Sequence, residues 1–147
     1  MKLVDTDETI VLVTGTALTA EERDRPIAYT LKAEIDRRGD GHTYRRAVVV
    51  GDIWYLENRI FHLNPTIAIG GPGANGVSGE LADSLPTLLS VDDRVFVQAD
   101  FEGDLKRASL WGVDARATAE AVEMFVGRGF LDELLQKIWR FRAGTFV

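Results

Sequence analysis

The chain has 147 residues, of which 46% are hydrophobic, and it carries no cysteine and a formal net charge of −6. This size suits one domain with its own apolar core, and the lack of cysteine excludes disulfides, thiolate metal sites and a cysteine nucleophile. The acidic balance argues against a nucleic-acid partner. No run approaches the roughly 18 apolar residues of a membrane span, and the N-terminus lacks a signal-peptide pattern, so we expect no membrane partner and a cytoplasmic location.

Short apolar runs alternate with helical patterns in the first half of the chain. Three runs rich in β-branched residues are predicted to be buried parallel strands: residues 9–14, 47–50 and 66–69. Between the first two, Thr19 and Glu22 form a capping box at the start of a predicted helix. Pro26 predicts that this helix kinks, or that it restarts with Asp24 as a second N-cap.

The second half of the chain predicts a change of strand direction. Residues 52–63 indicate a short aromatic helix or turn, and residues 78–84 a second brief helix. Three β-like runs between residues 87 and 113 are joined by links too short for parallel crossovers, so they predict an antiparallel meander. A helix capped by Asp114 follows, and a last helix begins at Phe130.

These elements predict a single Rossmann-like three-layer α/β domain over residues 1–147. Its mixed sheet has parallel strands followed by the antiparallel meander, and two helices end the chain. The third run of the meander points the same way as the parallel strands. Asp114 should therefore reach the same edge of the sheet as the ends of those strands.

Residues 70–76, which we call the glycine loop, satisfy the pattern G-x-G-x-x-G between a predicted strand and a predicted helix. Asp92 and Asp93 follow about 20 residues later, as a dinucleotide-binding fingerprint requires. Pro72 removes one backbone donor, the next helix is short, and the motif follows the third strand, all of which count against NAD or FAD. Two alternatives stay open: a structural turn, or a site where loop amides bind a phosphate or another small anion.

Ligands of open α/β sheets bind in the crevice outside the carboxyl ends of the strands. The candidate ligand-binding residues at this edge are Thr14, Gly15, Asp52, Gly70, Gly71, Gly73, Asn75, Asp114 and Thr118. Asn75 and Asp114 have two alternative roles. They hydrogen-bond each other's loops as a structural staple, or they share a ligand.

Two short motifs resemble the C-terminal region of archaeal S-layer-like proteins, which has a GGPxxN loop and, after a strand-rich stretch, a GxDxxxTxxA helix start. The residues that fill these motifs are Gly70, Gly71, Pro72 and Asn75, and then Gly112, Asp114, Thr118 and Ala121. The resemblance spans residues 66–122 and implies a similar fold. The family has no established catalytic activity to transfer to this chain.

The C-terminal aromatic residues Trp139, Phe141 and Phe146 alternate with arginines. They are predicted either to pack on the core of the domain or to form an interface, such as a homodimer through the last helix, because aromatic residues and Arg are favoured at interfaces. His42 and His62 lack metal-ligand spacing, so we expect no metal, and no motif calls for a cofactor.

The sequence favours a non-catalytic adaptor or sensor that binds a protein partner or a second copy of itself. The alternative is a small-molecule or nucleotide-phosphate binding protein, or an enzyme, in which the glycine loop holds a small anionic ligand.

Overall fold

A six-stranded sheet runs through the computed structural model, which describes residues 4–139. The strands in chain order are β1 (Ile10–Thr14), β2 (Ala47–Gly51), β3 (Thr66–Ile69), β4 (Thr87–Val91), β5 (Val95–Asp100) and β6 (Arg107–Gly112). Their order across the sheet is β2-β1-β3-β6-β5-β4. Strands β2, β1, β3 and β6 are parallel, and β4, β5 and β6 form the predicted antiparallel meander.

Helices cover both faces of this sheet. They are α1 (Leu18–Gly39), α2 (Asp52–Glu57), α3 (Gly76–Leu81), α4 (Ala115–Gly127) and α5 (Phe130–Ile138), with a 3-10 helix at Arg59–Leu63 between α2 and β3. The larger apolar cluster joins one face to α1, α4 and α5, and the smaller one joins the other face to α2 and α3. The predicted mixed α/β fold with two C-terminal helices is confirmed.

Strand β1 explains why the first apolar run is continuous. Every residue of β1 is buried, because the strand lies between β2 and β3 and has helices on both sides. Successive side chains of a strand point to opposite faces. Ile10 and Leu12 accordingly belong to the larger cluster, whereas Val11 and Val13 belong to the smaller one.

The predicted start of α1 was wrong. The helix begins at Leu18 with Ala17 as its N-cap, and no side chain caps it. It runs through Pro26 to Gly39 without a restart, so Asp24 is a residue of the second turn and not an N-cap. The extended backbone of Ala17 (φ −60°, ψ 150°) leads directly into the helix, so Thr19 lies inside the first turn and does not cap it.

Helix α3 starts earlier than its sequence pattern predicts, whereas the acidic pair of Asp92 and Asp93 lies in the short link of the predicted meander. Helix α3 begins at Gly76, two residues earlier than predicted, because Asn75 caps it. Asp92 and Asp93 have φ values of 53° and 52°. Both therefore adopt the left-handed conformation of a tight hairpin turn between β4 and β5, which accounts for their occurrence together.

The carboxyl ends of β1 and β3 form a topological switch point. After β1 the chain crosses to β2 on one side, and after β3 it reaches β6 on the other side. A crevice opens where the two connections diverge, and this is the usual ligand position in open α/β sheets. None of the helices within residues 4–139 is long and apolar enough to cross a membrane.

Close backbone packing at this crevice requires glycine at position 15. A Cβ atom on Gly15 would overlap the carbonyl oxygen of Ala74 and would lie 2.9 Å from the Cβ of Ala20. The glycine loop and the first turn of α1 can therefore approach the end of β1 only because residue 15 lacks a side chain.

We predict that Gly15→Ala lowers the free energy of unfolding by about 3 kcal/mol, because a backbone carbonyl cannot move away without displacing the glycine loop. Chemical denaturation followed by circular dichroism measures this loss. Gly73→Ala is the matched control, since a Cβ there has no heavy atom within 4 Å. Equal stability of the two variants would contradict the packing role of Gly15.

Candidate functional site

The carboxylate of Asp52 joins three loops at the carboxyl edge of the sheet. Its Oδ1 accepts hydrogen bonds from the Thr16 hydroxyl and from the Ile53 amide, the latter at 2.8 Å, and its Oδ2 accepts from the Gly76 amide at 2.8 Å. Thr16 follows β1, Ile53 lies in α2 and Gly76 begins α3. Asp52 is thus engaged in holding the loops together.

The side-chain amide of Asn75 links the two central strands to α3. Its Nδ2 donates to the carbonyl oxygens of Val13 and Ile69 at 2.9 and 3.0 Å. Its Oδ1 accepts from the amides of Val77 and Ser78 at 3.0 and 3.3 Å. Asn75 is only 1% exposed, so these four bonds satisfy its amide inside the protein.

Asn75 and Asp114 do not form the staple that was one of their two predicted roles. Asp114 caps α4, as predicted, by accepting the Ala117 amide at 2.8 Å. The hydroxyl of buried Thr118 accepts the Gly112 amide at 3.1 Å and so fixes the turn between β6 and α4. Asn75 instead bonds to β1, β3 and α3, because the strand-end carbonyls of β1 and β3 lie next to it.

A cleft of about 370 Å³ lies at the switch point. Three segments form its walls: the first two turns of α1, residues 71–74 of the glycine loop, and residues 111–115 at the start of α4. The predicted meeting of the glycine loop and the Asp114 turn at one edge is therefore observed. Asp52 does not line this cleft.

Two backbone donors of the cleft wall are unpaired. Among residues 4–139, the amides of Gly71 and Gly73 donate no hydrogen bond, although both residues line the cleft. The other loop amides are used, since Ala74 and Asn75 both donate to the Gly71 carbonyl at 3.0 Å. The turn of the glycine loop thus leaves two N–H groups available beside the starts of two long helices.

Asp24 lines the cleft, although it was not among the predicted ligand-binding residues. Its side chain is 7% exposed and has no hydrogen-bond or ion-pair partner in the described part of the chain. Its Oδ2 lies against Gly70, where a Cβ would be only 2.6 Å away, and Gly70 has a φ of +112°. Glycine is needed there both for the positive φ and for this contact.

The sequence did contain a signal for Asp24. The buried positions of α1 are Ala20, Asp24, Ala28, Leu31, Ile35 and Gly39. Asp24 therefore occupies the apolar stripe of the helix at i, i+4, i+7 spacing. A carboxylate on such a stripe is a buried polar group, and such a group usually has a specific partner.

The two buried aspartates of this edge have pKa values shifted in opposite directions. Burial raises the pKa of Asp24, and the nearby charge of Arg23 offsets only part of that effect. Burial also acts to raise the pKa of Asp52, but the hydrogen bonds from Gly76, Thr16 and Ile53 outweigh it, and its pKa is lowered. Asp52 is satisfied in its ionised form, whereas Asp24 is not.

The remaining predicted site residues occupy different environments. Thr14 is fully buried at the end of β1, and its hydroxyl has no partner within the described residues. Trp139 donates from Nε1 to the Glu8 carbonyl at 2.7 Å, and the Arg45 guanidinium lies 6.0 Å from its ring centroid. Phe141 and Phe146 lie outside the described residues. No group of three or more metal-ligating side chains occurs within residues 4–139.

No protein-family model matches this chain, and no curated protein matches its sequence. The resemblance to archaeal S-layer-like proteins stays a prediction. Its two motifs supply the glycine loop and the Asp114 turn, which form two walls of the cleft.

We predict that Asp24→Asn stabilises the protein at neutral pH by about 1 kcal/mol, because it removes a buried carboxylate without a partner. A raised pKa in the folded state means that the ionised form destabilises the fold above that pKa. The penalty disappears as the pH falls to about 3, where the carboxyl is protonated in both states. Denaturation at several pH values should therefore show a gain for the variant that shrinks toward low pH.

The control for this measurement is Asp83→Asn, at an exposed position. It should leave stability unchanged across the same pH range. A destabilised Asp24→Asn variant at neutral pH would show that the carboxylate has a favourable role within the fold.

Proposed function

We propose that this chain is a binding domain for a small molecule whose anionic group, a phosphate or a carboxylate, lies in the cleft against the glycine loop. The observation that carries the proposal is the pair of unpaired amides at Gly71 and Gly73 in the cleft wall. Unpaired backbone N–H groups are the donors that bind such anions in many loops that precede helices.

The surroundings of these amides support the same proposal. Helices α1 and α4 both begin at the cleft, and each N-terminus carries a partial positive charge. Arg23 adds a full positive charge to the lining. The cleft also lies at the β1/β3 switch point, where open α/β sheets bind their ligands.

The proposal is one of binding without an assigned reaction. Asp114 is engaged as a helix cap and Asp52 as a link between loops. The lining offers no nucleophile paired with a base of the kind that covalent catalysis uses. The proposed function is therefore non-catalytic, as the sequence favours, and the proposed binding surface is the cleft.

We predict that Ala115→Glu weakens binding of inorganic phosphate, or of a short-chain carboxylate, at least about tenfold. Ala115 lines the cleft at the first position of α4, so a glutamate there places a like charge beside the anion. Isothermal titration calorimetry at low ionic strength measures the change. A carboxylate in the first turn of a helix does not destabilise it, so the variant is expected to fold.

Ala115→Gln is the matched control, because it adds a side chain of nearly equal size without charge. It should bind the anion within about twofold of the unmodified chain. If the Glu and Gln variants bind equally, or if neither anion raises the melting temperature at millimolar concentration, the proposed anion site is wrong.

A second candidate function is self-association, and exposed apolar side chains on the opposite face favour it. Ile53, Trp54, Ile60 and Leu63 are 57%, 44%, 73% and 58% exposed. All four lie on α2 and the adjacent 3-10 helix. Apolar side chains gathered in this way are typical of surfaces that contact another protein. The apolar stripe of α5, by contrast, is buried in the core of the domain.

We predict that the double variant Ile60→Glu, Leu63→Glu has a lower average mass than the unmodified chain in sedimentation measurements at high concentration, because it places charges in an apolar interface. Leu105→Glu changes another exposed leucine, which is 48% exposed and lies elsewhere on the surface, and should leave the mass unchanged. A monomeric unmodified chain would remove this second candidate.

A further inference from the structure

The cleft contains both signs of charge, which a purely anionic ligand would not match. Arg23 and the two unpaired amides lie in the same lining as the carboxyl groups of Asp24 and Asp114. An anion that filled the whole cleft would lie near two acids as well as its donors. A ligand that carries a positive group in addition to the anion would complement both parts of the lining.

Asp24 is the group that identifies where such a positive charge would lie. It is buried, it lines the cleft, and it lacks any hydrogen-bond or ion-pair partner among residues 4–139. The Oδ1 of Asp114 already accepts the Ala117 amide at the start of α4. Asp24 is thus a buried acceptor of the cleft without a partner among residues 4–139, and a buried carboxylate of this kind is expected to be paired.

The chemistry of a buried carboxylate selects among its possible partners. A ligand hydroxyl satisfies hydrogen-bonding capacity but leaves the negative charge uncompensated. A protonated amine does both, since it supplies three N–H donors together with a full positive charge. An ammonium group is therefore the better complement of Asp24.

We propose, on the basis of the anion-binding function above, that the ligand is a zwitterion whose ammonium group donates to Asp24 while its anionic group binds the amides of Gly71 and Gly73. A cleft of about 370 Å³ accommodates an amino acid or a short aminoalkyl phosphate. These two classes of zwitterion share the ammonium group, and the negative charge is a carboxylate in the first and a phosphate in the second.

The test compares each zwitterion with its analogue that lacks the amine. The standard amino acids and 2-aminoethyl phosphate are first compared by thermal shift. The best amino acid and 2-aminoethyl phosphate are then titrated calorimetrically beside the des-amino acid and ethyl phosphate. In the unmodified chain the amine-bearing member of a pair should bind at least about tenfold more tightly, which corresponds to about 1.4 kcal/mol.

Asp24→Asn provides the decisive comparison. It should reduce the affinity ratio of each pair to about one, while the affinity for ethyl phosphate or the des-amino acid is unchanged or improved, because one negative charge has been removed. Asp83→Asn should retain the ratio of the unmodified chain. The better of the two zwitterions shows whether the anion is a carboxylate or a phosphate.

The outcomes separate this inference from the proposed function. If the anions bind but the amine adds no affinity, or if Asp24→Asn keeps the amine preference, the zwitterion proposal is wrong and the anion site stands. Ethylammonium is titrated as the amine without an anionic group. If it binds and neither ethyl phosphate nor the des-amino acid does, the anion site is wrong and the zwitterion proposal fails with it. If no probe binds, both are overturned.

Discussion

The carboxyl edge of this domain depends on the buried side-chain amide of Asn75. Its Nδ2 donates to the carbonyls of Val13 and Ile69, near the ends of β1 and β3, and its Oδ1 accepts from two amides in the first turn of α3. Buried backbone carbonyls near strand ends need hydrogen-bond donors. The Asn75 side chain donates to one such carbonyl on each strand, and it also caps α3. The glycine loop reaches Asn75 through a turn in which the carbonyl of Gly71 accepts the amides of Ala74 and Asn75. In this arrangement the amides of Gly71 and Gly73 donate no hydrogen bond within residues 4–139.

Two aspartates at the same edge show how local bonding decides the role of a buried carboxylate. Asp52 receives donors from three loops, and its ionised form is stabilised. Asp24 receives none from residues 4–139, and burial disfavours its ionised form. The first residue is therefore part of the scaffold. The second has the properties of a group that meets a partner from outside the chain, because its hydrogen-bonding capacity is not used within the fold.

The two proposed surfaces lie on opposite sides of the sheet. The cleft involves α1 and α4, which belong to the larger core cluster, whereas the exposed apolar residues lie on α2 and the 3-10 helix, beside the smaller one. A second copy bound at α2 would therefore leave the cleft open. Asp52 does not line the cleft, but it begins α2 and accepts the amide of Gly76, the last residue of the glycine loop. Asp52 therefore links α2 to the loop whose residues 71–74 line the cleft.

Local patterns in the sequence predicted the strands, the meander and the Asp114 cap, because each depends on residues only a few positions apart. The predicted capping box of α1 was wrong, since the helix begins at Leu18 and Thr19 lies inside it. The bonds that define the site join distant residues: Asn75 and Val13 are 62 positions apart, and Asp52 and Gly76 are 24. No periodicity or spacing specifies such pairs.

The sequence by itself thus determined a mixed α/β sheet with a glycine-rich turn and an aspartate-capped helix at one edge. Only the tertiary structure decided which polar groups there are satisfied. A hydrogen bond depends on which loops meet in space, so Asn75 and Asp52 became parts of the scaffold, whereas Asp24 and two glycine amides were left to face the cleft.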